Sequence, residues 1–156
     1  MDAYLLLEAL HILSATILFG TGVGTAFYLW MAHRTRDPHV IAVVGRHVVL
    51  GDWIFTGGAG FLQPVTGLGL VHLSGRDPFE LWLLITYGLY LLAFACWAPV
   101  VWLQSEAARL AKESADDGTA LPPRYFRLMR IWFYLGWPAF LALIGVLLLM
   151  VTQPSG

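Results

Sequence analysis

The chain has 156 residues; 58% are apolar (Ala, Val, Ile, Leu, Met, Phe, Trp, Tyr or Cys) and only 12% are charged. Soluble domains carry about 45–50% apolar and about 25% charged residues, so these side chains could not cover a globule in water. That excludes a soluble enzyme and a disordered chain, and a formal net charge of −1 offers no footprint for nucleic acid. One cysteine, Cys96, excludes an internal disulfide and any cysteine-built zinc or iron–sulfur site. With a mean hydropathy of +0.70, the chain reads as a membrane protein.

A bilayer core takes roughly 20 apolar residues per helix. Four stretches lack Asp, Glu, Lys and Arg over that length: 9–32, 53–75, 81–103 and 131–151. They predict an all-α polytopic fold, an antiparallel four-helix transmembrane bundle forming one domain, 1–156, with spans of about 5–32, 48–74, 80–104 and 127–151. The runs are too long for strands and do not alternate.

Span 1 opens on Met1-Asp2, which offers no basic n-region, and its uncharged run is too long for a signal-peptide core. His11 lies about two turns inside it, with Glu8 three residues earlier on the same helical face. A carboxylate there can orient an imidazole or hold its proton. Ser14, Ala15, Leu18 and Gly22 share the face of His11, which suits a flat ligand or a tightly packed neighbour. Thr16, Gly20 and Gly24 recur at four-residue spacing. Such small residues let helix backbones approach in lipid, or make room for a flat cofactor.

A connector, His-Arg-Thr-Arg-Asp-Pro-His at 33–39, leads to polar residues around Arg46 and then to span 2. Asp52 at its start predicts an interfacial ion pair with Arg130 or Arg46. Gln63 precedes Pro64 and predicts a partner for the carbonyl that the proline frees, ahead of a contact to a ligand. A hairpin centred near His39 puts Gly67 level with His11 and leaves His72 about 7 Å shallower. His33 and His47 are opposed at the other end. Intramembrane polar groups of this kind default to functional hypotheses.

Arg-Asp-Pro-Phe-Glu at 76–80 joins spans 2 and 3. Cys96 reads as a small buried apolar residue, and Pro99 as an architectural kink. The long connector at 104–130 is rich in Ala, Glu and Lys up to Ser114, then breaks at Asp116-Asp117-Gly118 and Pro122-Pro123. It predicts a helical extension of span 3, a loop and a short lead-in to span 4, which carries Pro138.

Eight of the nine basic residues flank the first and third connectors and only Arg76 lies on the other side. The positive-inside rule then places those connectors in the cytosol and both termini outside. Trp30, Trp53, Trp102 and Trp132 fall near the cytosolic ends, and Tyr4 and Trp82 near the outer ends, as aromatic belts would.

Glu-Ala-Leu-His-Ile-Leu at 8–13, Phe27-Tyr28, and the run from Trp137 to Pro154 resemble the CopD/HemJ-like group of small four-helix membrane proteins. Within that group the chain is most similar to an uncharacterised bacterial family of predicted integral membrane proteins. The resemblance covers the whole chain in layout, with few specific matches. HemJ proteins are haem-binding protoporphyrinogen oxidases whose essential helix-1 histidine matches His11, and whose last-helix proline matches Pro138. Their closing Val-x-Lys-Pro matches Val151 to Pro154 only in part, because Gln153 replaces the lysine. Glu8 stands where they have lysine, Gly136-Trp137 where they have Asn-Glu, and their Pro-Arg pair late in helix 1 has no counterpart. The resemblance therefore implies haem binding by His11 rather than the oxidase reaction. Copper handling, which CopD-like relatives imply, needs clustered sulfur and imidazole, whereas Met1, Met31, Met129 and Met150 are scattered.

The expectation is thus a haem b protein of membrane redox or haem-related chemistry, with His11 as axial ligand and Glu8 as its orienting partner. His72 is the candidate opposite ligand, and His47 enters only in a di-haem version. The rival expectations are a non-enzymatic accessory subunit of a larger membrane complex and a metal or solute transporter. The partners implied are the lipid bilayer and a second copy or larger assembly, with no nucleic acid.

Overall fold

The computed structural model describes residues 2–154. It contains four helices long and apolar enough to cross a membrane: α1 (Ala3–Thr35), α2 (Pro38–Leu73), α3 (Leu81–Asp116) and α4 (Pro123–Thr152). Among the described residues there is no strand. Local chemistry sets the ends. Asp37 caps α2 by accepting from the His39 N–H at 2.8 Å, with Pro38 in the first turn, where its missing N–H is not needed. Gly75 (φ 67°) and Gly118 (φ 63°) turn the chain after α2 and α3 in a left-handed conformation that glycine adopts readily.

Helix α2 begins at Pro38, well before the start near residue 48 that the apolar pattern gives. Residues 38–47 are helix, not connector. They carry their own apolar face, with Ile41, Gly45 and Val48 buried. Gly45 faces Ala108, and a Cβ at Gly45 would stand 2.9 Å from the Ala108 Cβ. Within α2, Asp52–Gly57 form a π-helical turn, which re-phases the helix beyond it.

The 36 residues of α3 span about 54 Å against about 30 Å for the hydrocarbon core. The surplus lies at the end that carries the basic residues. There, parts of all four helices form a compact apolar core that includes Leu29, Ile41, Ala107, Ala111, Tyr125 and Met129. Its surface holds ion pairs at helical spacing, Arg109 with Glu106 and Glu113, and Lys112 with Asp116. Arg124 of α4 joins Glu106 of α3 at 2.8 Å. Two tryptophans assigned to the aromatic belts, Trp132 and Trp82, turn inward and are buried, whereas Trp53 and Trp102 stay exposed.

Toward the end that carries both termini the arrangement loosens. Helix α1 packs on α2, and α3 on α4, while α1 and α4 meet mainly through long side chains. Phe19 stacks on Phe140 at 5.6 Å, and Trp30 meets Phe133 at 4.9 Å. Arg76 in the α2–α3 loop donates to Gln153 Oε1 at 2.8 Å, which ties the end of α4 to that loop.

Candidate functional site

The seam between α1 and α2 collects the intramembrane polar groups. His11 Nδ1 lies 2.7 Å from Thr66 Oγ1, whose hydroxyl also lies 2.8 Å from the Leu62 carbonyl. With the Thr66 proton on that carbonyl, Nδ1–H is the donor and Nε2 is the basic nitrogen. A Cβ at Gly67 would stand 3.2 Å from His11 Cε1, so the hairpin register puts these two residues level. Gln63 crosses the same seam, donating through Nε2 to the His11 carbonyl at 2.7 Å and to Ser14 Oγ at 2.6 Å.

Gln63 therefore does not serve the carbonyl freed by Pro64. Proline at position 64 deprives Gly60, four residues back, of its helical partner. The Tyr90 hydroxyl of α3 donates to that Gly60 carbonyl. A side chain from a neighbouring helix repairs the kink, as membrane proline helices require.

The structure does not bring the candidate ligands together. His11 is half-buried in the α1–α2 seam, and Glu8 makes no hydrogen bond to it among the described residues. His72 is exposed at the end of α2, and His47 is exposed near the basic end. His33 is engaged elsewhere, 3.0 Å from the Tyr125 hydroxyl. Among the described residues no three His, Cys, Asp or Glu side chains cluster in a way that could hold a metal ion.

What the structure does assemble is a cavity of about 520 Å³ between all four helices, to which none of the histidines contributes. Phe19 and Trp30 of α1, Trp97 of α3 and Trp132, Trp137 and Phe140 of α4 supply much of its wall. Gly22, Gly57, Gly60 and Gly136 line it too. A Cβ at Gly22 or Gly136 would meet nothing within 4 Å, so these glycines leave space rather than bring backbones together. The same holds at Gly20 and Gly24, where the four-residue spacing suggested a contact face.

At the basic end of this cavity sits Asp52, only 3% exposed. Its Oδ1 accepts from Thr25 at 3.1 Å and from Thr56 at 3.0 Å, and the Gln104 side chain lies beside the same carboxyl. Thr56 reaches it from inside the π turn. The ion pair expected with Arg46 or Arg130 is absent among the described residues. Arg46 lies six residues earlier, about 120° round the helix, and both arginines are exposed. Gln104 is 2% exposed, and its Oε1 has no partner. Trp97 Nε1, two turns along the same face of α3, has none either. Tyr90, Trp97 and Gln104 recur every seven residues on α3, a spacing legible in the sequence, but nothing there separates it from ordinary helix packing.

Four apolar helices around a partly open interior, with a carboxyl held by hydroxyls, define an integral membrane protein with an internal cavity. The chain belongs to the family described as predicted integral membrane protein (DUF2269), whose model matches residues 5–154. No curated protein and no solved structure matches the chain.

Proposed function

We propose that this integral membrane protein binds a lipid-soluble molecule in the cavity between its four helices, with the basic end in the cytosol and both termini outside a bacterial inner membrane. The observation that carries the reading is an aromatic-walled space of about 520 Å³ with a buried carboxyl at one end. Small-molecule sites have this form: roughly 300–1,000 Å³, mostly apolar walls and a few converging polar groups. The cavity is not fully enclosed, which allows a ligand to enter it. The eight-to-one distribution of basic residues supports the orientation.

The test uses pyrene, a neutral planar hydrocarbon, with the full chain in phosphatidylcholine nanodiscs. Energy transfer from the cavity tryptophans should saturate with pyrene, and Gly22→Leu, which fills the space from α1, should weaken it at least fivefold. Transfer no greater than in empty discs would remove the proposal. Orientation is read separately: alkaline phosphatase fused to the C-terminus should be active, and a green fluorescent protein fused there dark.

A second reading, haem b ligation, is favoured by the Nδ1–H···Thr66 bond. It fixes the His11 ring and leaves Nε2 basic, the arrangement seen where histidines ligate metals. The surroundings do not fit a macrocycle: the ring stands against Gly67 and lines neither the four-helix cavity nor the smaller one between α1 and α2. An accessory subunit without a ligand would leave the cavity empty. A Soret band in purified protein, lost in His11→Ala, would favour haem over the cavity ligand.

A further inference from the structure

We propose, resting on the cavity reading above, that the ligand is a lipophilic ammonium ion whose charged head sits against Asp52 and Gln104. A carboxylate taken out of water is strongly unfavourable unless a countercharge or several donors compensate it. Asp52 has two threonine hydroxyls as donors on one oxygen, but no Lys, Arg or His lines the cavity. The polar end of the space thus carries a carboxyl with no cation of its own.

The orphaned atom beside it points to the same chemistry. The Gln104 side chain lies beside Asp52 and leaves its Oε1 buried without a donor. An unmet buried acceptor is costly, and the ligand that relieves it must bring an O–H or N–H. Both a hydroxyl and an ammonium would satisfy Oε1, but only the ammonium also supplies the countercharge for Asp52. The walls agree. Trp30, Trp97 and Trp132 line the cavity, and the faces of indole rings attract cations, most strongly when both partners are out of water. Trp97 Nε1 lies about 10 Å further along α3 and would favour a ligand with an acceptor oxygen on its body.

The experiment compares two probes of nearly the same shape, pyrenemethylamine and pyrenemethanol, in the same nanodiscs with the same energy-transfer readout. The full chain should bind the amine at least tenfold more tightly than the alcohol. Asp52→Asn should bring the amine to the level of the alcohol while the alcohol still binds, and Gln104→Leu should weaken the amine severalfold. Equal affinity for the two probes in the native chain, or a preference that survives Asp52→Asn, overturns the ammonium assignment and leaves the cavity reading standing. Saturable binding of neither probe overturns both. If Asp52→Asn does not assemble, the native preference and Gln104→Leu decide the matter.

Discussion

The basic end and the terminal end of this bundle solve the packing problem in opposite ways. At the basic end, helices that project past the bilayer core bury Leu29, Ile41, Leu110, Tyr125 and Leu128 against one another, and ion pairs cover the outside. That is how a water-soluble helical domain is built. Toward the termini, glycines, hydroxyls and aromatic rings replace the aliphatic core. The buried side chains there include Ser14, Gln63, Thr66 and Thr86, and open space remains between α1 and α4. The difference places rigidity at one end and adaptable volume at the other. In lipid, burial of apolar side chains gives no net drive, so the loose end is held by side-chain packing and interhelical hydrogen bonds.

The comparison predicts a graded response to substitution. The largest effect belongs to Tyr125→Ala, because this ring is 0% exposed and its hydroxyl meets His33. It should destabilise the bundle by about 3–5 kcal/mol in reversible unfolding from mixed micelles. A loss below about 1 kcal/mol would mean that the basic end is not the firmer half. Gly45→Val follows. Its Cβ would stand 2.9 Å from that of Ala108, so the α2–α3 contact must open, a loss of about 1–3 kcal/mol by the same measurement.

Gln63→Leu should have a smaller effect, about 1 kcal/mol, since its two bonds to α1 are exchanged for other partners when the helices separate within lipid. Least of all, Gly22→Ala should be neutral or stabilise by up to about 1 kcal/mol, because its Cβ would enter open space and alanine favours the helix. Destabilisation by Gly22→Ala comparable to Gly45→Val would erase the contrast between the ends.

Much of the architecture was legible in the residues themselves. Uncharged runs locate four spans, and Asp117-Gly118 with Pro122-Pro123 marks the break between α3 and α4. Counting rises along the hairpin sets Gly67 opposite His11. The helical stretch at 38–47 was hidden because its charges resemble a loop, although the Asp37-Pro38 cap and Ile41, Val44 and Val48 at helical spacing were there to read. The cavity was hidden for a different reason. Its lining is spread over four helices, and an indole facing an internal space has the same sequence signature as one facing lipid. Trp132, assigned to a belt, shows how the two merge. Asp52 drew attention as a charge, but its neighbours are hydroxyls and an amide, which carry no complementary charge to search for.

The wide turn at Asp52–Gly57 has an evolutionary corollary. A π turn accommodates one residue more than the α-helix around it needs. Deleting a single position there would let α2 close into a regular helix while both flanking segments kept their orientation, Ile41 toward α3 and Thr66 toward His11. Thr56 stands four residues from Asp52, and loss of an intervening position would leave the two three apart, still on one face of a regular helix. Descendants of this chain could thus shorten the turn in one genetic step and keep both the acidic corner and the scaffold that surrounds it.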